Sequence, residues 1–309
     1  MAQAFDKVWH KGLLFKLQRD LPKQFYLILK SYIENRHFRV KYEEEYSELK
    51  QILAGVPQGS VLGPILYLLY TRDLPKLNDV TVATFADDTA VLSVGDNIEQ
   101  STMKLQEACD KIIRWTKMWR IGLNESKSTH VNFSNLKISY KPVIINGQQI
   151  PFANKAKYLG MTLDTRLRWK EHVKKKEELN IKYRKMYWLI GKNSELSIEN
   201  KLLLYQQVLK PVWTYGIQLW GCTKKSNLKM IQTFQNKVLR GIVNAPWYIR
   251  NDDLHRDVYM QTVQKEIKKR AIIHGERISQ HANEELRGML DISHAVRRLQ
   301  RTKPIDLMG

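Results

Sequence analysis

Cysteine is scarce in this sequence, and acidic residues are few compared with basic ones. The 309 residues include two cysteines, Cys109 and Cys222, and 31 Asp and Glu against 51 Lys and Arg. So few thiols argue against a disulfide framework and against a cysteine-rich zinc module. The net charge of +20 indicates either a polyanionic partner, most often nucleic acid, or a merely basic surface.

Long apolar runs are also missing. The longest candidate, residues 65–70, is far too short to span a membrane. The first residues carry charges early and lack the long apolar core of a signal peptide. We therefore expect a nuclear or cytoplasmic protein without a membrane partner. The length and the hydrophobic content of 43% suit a globular chain, and we expect more than one domain.

The most informative stretch is residues 84–91, which read TFADDTAV. Alternation with period two on both sides predicts a β-hairpin with Asp87 and Asp88 at its tip. Neighbouring carboxylates on a rigid turn suit a divalent cation, because magnesium prefers oxygen ligands. Aspartate is also a common turn residue, so the pair alone admits a purely structural interpretation.

A glycine-rich loop precedes the hairpin. Residues 54–64 contain Gly55, Gly59 and Gly63 around a Pro-Gln-Gly triplet, and they lead into a strongly apolar helix. Glycine lets a ligand approach the backbone closely. The start of a helix offers unpaired N–H groups to phosphate. An ordinary loop before a buried helix is the alternative interpretation.

Hydrophobic periodicity predicts most of the remaining elements. The helical pattern recurs in three places, which are residues 13–17, the segment after Pro22, and residues 97–121 with Gly122 as the C-cap. Strand patterns occur in an exposed hairpin within residues 32–53, in residues 124–133, in a hairpin turning at Asn146 and Gly147, and in residues 158–164.

Beyond Trp169 the strand patterns fade, and helices with clustered bases follow. Tyr187 and Trp188 are among the aromatic residues interleaved with these bases. Basic side chains follow a phosphate backbone and aromatic rings stack on bases, so the cluster favours nucleic-acid binding. A solvated helix face with its aromatic residues in the core is equally open for each residue taken singly. The candidate basic residues are Lys174, Lys175, Lys176, Lys182, Arg184 and Lys185.

Taken together, the motifs resemble the reverse transcriptase of non-LTR (LINE-type) retrotransposons, most closely the jockey-like elements of insects. They follow the family's order and approximate spacing over nearly the whole chain. The segments that carry the resemblance are AFDKVWHKGLLFKL at 4–17, GVPQGSVLGP at 55–64, FADDTAVL at 85–92, NESKS at 124–128 and YLGMTLD at 158–164.

The resemblance implies an α+β fold arranged as a right hand of fingers, palm and thumb. Residues 1–166 are expected to form a partial palm, with an antiparallel sheet backed by helices. Residues 167–250 would form a helical thumb, and residues 251–309 a basic helical C-terminal extension. The fingers lie upstream in the family, so we expect them to be missing here.

The resemblance also implies RNA-directed DNA polymerase activity. A primer 3′-hydroxyl attacks the α-phosphorus of a dNTP, with RNA as template and DNA as primer. Two Mg²⁺ ions, or Mn²⁺ in their place, stabilise the attacking and leaving oxygens. Asp87 matches the principal metal ligand and Asp88 a supporting one. Lys127 matches the lysine proposed to protonate pyrophosphate as a general acid, although it can equally be a solvated turn lysine.

Further positions match the family's substrate contacts. Phe5 matches the aromatic residue that crowds the sugar 2′-carbon and excludes ribonucleotides. Gln58 and Gly59 match the loop that lies against the incoming nucleotide and the template. The strand and turn that grip the primer are matched by three residues, Tyr158, Leu159 and Gly160.

A third metal-binding carboxylate stands five residues before the aromatic in the family. Because that aromatic is Phe5 here, the carboxylate would fall one position before Met1. Asp6 follows the aromatic and is a different position. We therefore expect an N-terminally truncated chain that is weak or inactive by itself. The alternatives are a non-catalytic RNA- or DNA-binding remnant, or an incomplete gene model without a function of its own.

Overall fold

The computed structural model describes residues 5–75, 77, 79–134, 141–174, 176, 178–290 and 302–308. The chain divides into two compact units, Met1–Leu159 and Gly160–Gly309. Helices with small antiparallel sheets confirm the α+β class. The assignment of palm, thumb, extension and missing fingers stays a prediction. None of the described helices is long and apolar enough to cross a membrane.

Four helices form the frame of the first unit. The last of them begins at its N-cap Asn97, whose side chain accepts the Gln100 N–H at 2.8 Å and satisfies one donor of the first turn. These helices are α1 (His10–Asp20), α2 (Lys23–Ile33), α3 (Leu62–Thr71) and α4 (Ile98–Met118).

The end of α4 differs from the prediction that Gly122 caps it. Arg120 adopts the left-handed conformation with φ +54°, directly after the C-cap residue Trp119. Its guanidinium lies over the Trp9 ring, 4.3 Å from the ring centroid. We attribute the difference to this cation–π contact, which favours the conformation that glycine would have adopted most easily.

The strands of the first unit pair in antiparallel twos. The short strands of the predicted exposed hairpin are confirmed and are all exposed. Asn146 and Gly147 turn with φ +49° and +79°, as Asn-Gly hairpins require. The pairs are β1 (His37–Phe38) with β4 (Lys50–Gln51), β2 (Lys41–Tyr42) with β3 (Glu45–Tyr46), β5 (Val80–Phe85) with β6 (Asp88–Ser93), and β7 (Ile144–Ile145) with β8 (Gln148–Gln149). The unit's last strand is β9 (Lys155–Tyr158).

Two predicted strands are wrong in detail. Residues 124–133 contain a 3₁₀ turn, Glu125–Lys127, because the Asn124 side chain accepts the Lys127 N–H and closes the turn. Residues 158–164 are interrupted by a turn at Leu159 and Gly160, with φ +45° and +75°.

The core of the first unit lies where α1, α3 and α4 meet. Its fully buried side chains include Leu13, Leu17, Leu66 and Tyr70. The glycine-rich loop is fastened beside this core, because the His10 ring bonds the Gly55 carbonyl oxygen at 2.7 Å. The β5–β6 hairpin packs on α4. The glycine-rich loop and the aspartate hairpin thus both pack on the helices of the first unit.

The second unit is helical after the strand β10 (Met161–Asp164). Its core is built around Trp213 and Trp220, both fully buried. A single π-helical turn, Tyr205–Leu209, separates α8 from α9. The helices are α5 (Lys170–Lys174), α6 (Glu178–Lys185), α7 (Tyr187–Ile190), α8 (Ile198–Leu204), α9 (Lys210–Thr214), α10 (Ile217–Trp220), α11 (Lys225–Ile242), α12 (Asn251–Asp257), α13 (Val263–Ser279) and α14 (Glu284–Gly288).

Candidate active site

The predicted aspartate hairpin is present. Phe85 pairs with Asp88 across the end of the β5–β6 ribbon, so Ala86 and Asp87 form a two-residue turn. Ala86 has φ +50°, which a tight hairpin turn requires. Asp87 and Asp88 are both exposed. The ribbon therefore presents two adjacent carboxylates to solvent at its tip.

Besides burial, the charge of each carboxylate raises the pKa of a different tyrosine. Burial, and then the charge of Asp87, raises the pKa of Tyr67 to about 12. Burial, and then the charge of Asp88, raises the pKa of Tyr158. The first carboxylate thus lies on the α3 side of the ribbon and the second on the β9 side.

Tyr67 connects α3 to the hairpin tip. Its hydroxyl donates a hydrogen bond to the Ala86 carbonyl oxygen at 3.1 Å. Its ring stacks on Phe5, with centroids 4.6 Å apart and planes 29° from parallel. The structure thereby brings Phe5, a predicted substrate residue, close to the predicted metal ligands. Sequence reasoning did not single out Tyr67, because a tyrosine within ILYLLY reads as one more core residue of an apolar helix.

Tyr158, the first of the predicted primer-grip residues, lies beside the same ribbon. Its hydroxyl is 3.5 Å from the Ala83 carbonyl oxygen, which accepts a weak hydrogen bond. Leu159 and Gly160 follow it in the turn at the junction of the two units. A Cβ at Gly160 would come 3.2 Å from the Tyr215 ring. Glycine suits this position because φ is positive and the Tyr215 ring leaves little room for a side chain.

The glycine-rich loop is shaped by close backbone contacts. A Cβ at Gly63 would collide with the Pro57 carbonyl oxygen, and one at Gly55 would lie 2.9 Å from the Asp6 carbonyl oxygen. Gly59 has φ +81° with open space around it. Gln58 is exposed and donates to the Asp6 carboxylate at 2.5 Å. Gly59 is therefore the loop glycine with room for a ligand beside it.

The start of α3 differs from the expectation of unpaired donors. The Leu62 and Gly63 N–H groups donate to the Ser60 hydroxyl at 3.1 and 3.2 Å. Ser60 in turn accepts a hydrogen bond from the Tyr32 hydroxyl at 2.7 Å. A phosphate would have to displace Ser60 to use these two N–H groups.

Lys127 lies in the 3₁₀ turn with its side chain exposed. Nothing in the described part of the chain ties its ammonium to the hairpin. Its role as a general acid stays a prediction.

The predicted basic cluster of the second unit is not uniform. Lys174, Lys182, Arg184 and Lys185 are exposed. Lys176 is partly buried, and its ammonium donates to the Val212 carbonyl oxygen at 2.6 Å. Burial lowers the pKa of Lys176 to about 8, although the charge of Glu178 opposes this shift. Lys175 lies outside the described residues.

The donor set at the hairpin suits a hard divalent cation in part. Asp87 and Asp88 offer carboxylate oxygens, which Mg²⁺ and Mn²⁺ prefer. Within residues that the structure describes, no group of three or more His, Cys, Asp or Glu could hold a metal ion. Water or substrate phosphates would complete the coordination, as is common for magnesium.

Comparison with known proteins agrees with the motifs. The family described as "Reverse transcriptase (RNA-dependent DNA polymerase)" matches residues 1–163. The chain is 42% identical to a probable RNA-directed DNA polymerase from transposon X-element of Drosophila melanogaster, over 99% of this chain and 34% of that protein. It is 39% identical to the RNA-directed DNA polymerase from mobile element jockey of the same species, over 99% of this chain and 35% of that protein.

The chain thus spans about a third of the length of the curated relatives that it matches. A further similarity, 36%, is to a probable RNA-directed DNA polymerase from transposon BS. The resemblance read from the motifs is confirmed, and the chain belongs to the reverse transcriptase (RNA-dependent DNA polymerase) family.

Proposed function

We propose that this chain carries part of the catalytic centre of a non-LTR retrotransposon reverse transcriptase, an RNA-directed DNA polymerase. The observation that carries the proposal is the exposed carboxylate pair at the tip of a tight hairpin. The stacked pair of Phe5 and Tyr67, fastened to that tip, supports it. Its substrates would be a dNTP, a DNA primer and an RNA template.

In the proposed mechanism, Asp87 and Asp88 would hold magnesium, with Asp87 as the principal ligand. The bound metal would supply charge stabilisation for the attacking and leaving oxygens. Phe5 lies against the sugar and excludes a 2′-hydroxyl, and Gly59 leaves room for the nucleotide beside the loop. Lys127 donates a proton to the departing pyrophosphate.

The 309-residue chain is expected to be a weak polymerase by itself. A carboxylate pair supplies only part of the fixed negative charge that a two-metal centre uses, and preorganised electrostatics carry most of such a reaction. In the described residues no third carboxylate joins the pair.

Primer extension on oligo(dT)-primed poly(A) tests the proposal in two contexts. The first is the chain alone, and the second is a chimera in which it replaces the matching segment of the jockey polymerase. We expect weak synthesis from the chain and strong magnesium-dependent synthesis from the chimera. Asp87→Ala should lower synthesis by about 10²- to 10³-fold, as the loss of one preorganised electrostatic group does.

Asp110→Ala is the matched control, because Asp110 is an exposed aspartate on α4 of the same unit. It should leave synthesis unchanged. Robust synthesis by the chain alone, abolished by Asp87→Ala, would overturn the expectation of weakness but support the polymerase assignment. Chimera synthesis that is unaffected by Asp87→Ala would overturn the assignment of the carboxylate.

A non-catalytic RNA- or DNA-binding function is the second candidate, and the net charge of +20 favours it. It predicts salt-dependent binding that survives Asp87→Ala, together with no synthesis in either context under any metal. Binding that is insensitive to salt would contradict this alternative.

A further inference from the structure

The second unit contains a basic cleft that the predicted basic cluster does not include. It has a volume of about 590 Å³ and lies among α6, α7, α11 and α12. We call it the α11 cleft. Among the described residues its lining carries no acidic side chain, and it includes Lys192, Asn236, Lys237, Arg240, Asn244 and Asn251.

Two of the cleft's cations are available to a ligand. Lys192 and Lys237 are exposed. The third cation, Arg240, is engaged by the protein itself. Its guanidinium donates to the carbonyl oxygens of Pro246 at 2.5 Å and Ile249 at 2.9 Å. Arg240 therefore fixes both sides of the loop that borders the cleft.

That loop exposes an aromatic pair. Trp247 is 89% exposed and Tyr248 is 66% exposed. Their ring centroids are 6.0 Å apart in an edge-to-face arrangement. Large aromatic side chains usually bury most of their surface, so an exposed pair on a loop held by Arg240 indicates a binding surface.

We propose that the α11 cleft and the Trp247–Tyr248 pair together bind single-stranded nucleic acid, with phosphates at Lys192 and Lys237 and an unstacked base on Trp247. The inference rests on the proposed function for the nature of this partner. Cations beside an aromatic platform bind single strands in this way. Duplex bases are already stacked on one another and cannot offer a free face to an aromatic side chain. The amide oxygens of Asn236 and Asn251 already accept hydrogen bonds from Gln232 and Arg240, so these two side chains would offer their N–H groups to phosphate or to base acceptors.

Fluorescence anisotropy of the full chain with labelled oligouridylate and oligothymidylate, about 16 nucleotides long, tests this proposal. Two cleft variants are compared, Trp247→Ala and the pair Lys192→Glu with Lys237→Glu. We expect each to weaken binding by about tenfold or more, as the loss of base stacking does. The lysine pair should also reduce the salt dependence of the affinity, because about two phosphate contacts are lost.

Matched controls come from exposed residues outside the cleft lining. Tyr259→Ala removes an aromatic ring that is as exposed as Trp247. Lys268→Glu with Lys269→Glu makes the same charge change on exposed residues of α13. These controls should bind within about twofold of the unmodified chain, and circular dichroism should give all variants similar melting temperatures.

Normal binding by both cleft variants would overturn the proposal, as would equal losses in the matched controls. Displacement of the oligonucleotide by poly-glutamate, together with tighter binding of poly-glutamate than of RNA, would identify an acidic polypeptide as the ligand instead. Ultraviolet cross-linking of the oligonucleotide to Trp247 or Tyr248 would support the single-strand proposal.

The outcome is separable from that of the polymerase proposal. Asp87→Ala should bind single strands normally, because the carboxylate lies in the other unit. Cleft-dependent binding without synthesis by the chimera would contradict the polymerase assignment and leave this inference intact. Asp87-dependent synthesis with normal binding by the cleft variants would support the polymerase assignment and overturn this inference.

Discussion

Both units bury a charged side chain beside the core, but the two charges are balanced differently. Lys16 of the first unit is 2% exposed, and Glu266 of the second unit is 4% exposed. Taking an ion out of water costs several kcal/mol unless partners replace the water. The number and kind of partners therefore decide whether folding favours the charged form.

Among the described residues, the Lys16 ammonium has one carboxylate partner within hydrogen-bond distance. It donates to Asp73 and to the Tyr70 carbonyl oxygen, both at 2.5 Å, and lies 3.6 Å from the Trp119 ring centroid. Burial is the largest influence on its pKa and lowers it. The hydrogen bond and the charge of Asp73 oppose this but do not overcome it, so the pKa stays below the ordinary value of 10.5.

Glu266 has two cationic partners. Its carboxylate lies 2.7 Å from the Arg270 Nε and 3.0 Å from the Lys210 Nζ. Burial is again the largest single influence and raises the pKa. The hydrogen bonds and charges of Arg270 and Lys210 together outweigh it, so the pKa falls below 4.5. Two partners thus stabilise a buried charge that one partner leaves disfavoured.

The strongest test of this comparison removes Glu266. Glu266→Ala leaves Lys210 and Arg270 facing each other without the carboxylate, and we expect a loss on the order of 3 kcal/mol in the free energy of unfolding. Urea denaturation at neutral pH measures it. Glu266→Gln keeps the shape and an acceptor, so it should cost less. Glu276→Ala, an exposed position on the same helix, should change stability by no more than about 0.5 kcal/mol.

The same residue predicts a dependence on acidity. Because folding lowers the pKa of Glu266, its stabilisation is fully present above pH 4.5 and is lost as the pH falls through the folded value. The difference in stability between the unmodified chain and Glu266→Gln should therefore shrink below pH 4.5. A difference that grows on acidification would contradict the balance assigned to the second unit.

The corresponding test in the first unit should give a smaller and asymmetric result. Asp73→Ala leaves the Lys16 ammonium buried with a carbonyl oxygen and an aromatic ring, so we expect a loss on the order of 2 kcal/mol. Lys16→Met removes the buried charge itself, and its cost should stay below about 1 kcal/mol. Urea denaturation of both variants measures the difference. Equal losses would show that the Lys16–Asp73 pair is net stabilising, which would contradict the balance assigned to the first unit.

The sequence predicted elements that depend on local preferences. The Asp87 hairpin and the Asn146-Gly147 turn were both correct, because alternation and positive φ preferences act over a few residues. The predicted end of α4 was wrong, since the conformation of Arg120 depends on its contact with the Trp9 ring, more than a hundred residues away. The prediction of a strand at residues 124–133 was wrong because the Asn124 side chain accepts a hydrogen bond from the backbone and closes a turn.

The candidate site likewise combines features that the sequence indicates with contacts that only the fold reveals. Alternation placed Asp87 and Asp88 at the hairpin tip, and the family resemblance suggested Phe5 as a substrate contact. Only the fold reveals that Tyr67 joins Phe5 to the hairpin tip. The basic cluster was predicted from composition, which cannot tell an exposed lysine from one whose ammonium turns inward. Lys176 turns inward because the Val212 carbonyl oxygen is within reach, a contact that no local pattern encodes.

Lys176 offers the mildest test, because it is a partly buried cation of the second unit to which the described residues give fewer than two ionic partners. Burial lowers its pKa to about 8 against 10.5 in the unfolded chain. Between these values the unfolded state binds more protons, so stability should rise with pH. Relative to Lys176→Met, the unmodified chain should gain on the order of 1 kcal/mol from pH 8 to pH 10.5, after allowance for the solvent that still reaches the side chain.

Urea denaturation of both proteins across this range measures the gain, and other titrating groups cancel in the difference. Lys182→Met, at an exposed position of α6, should show no such gain. A flat difference for Lys176→Met would mean that the Val212 carbonyl oxygen and the charge of Glu178 fully offset the cost of burial. One carbonyl oxygen and one nearby carboxylate would then stabilise a buried charge as well as the two ionic partners of Glu266 do. The number of partners would not explain the contrast between the two units.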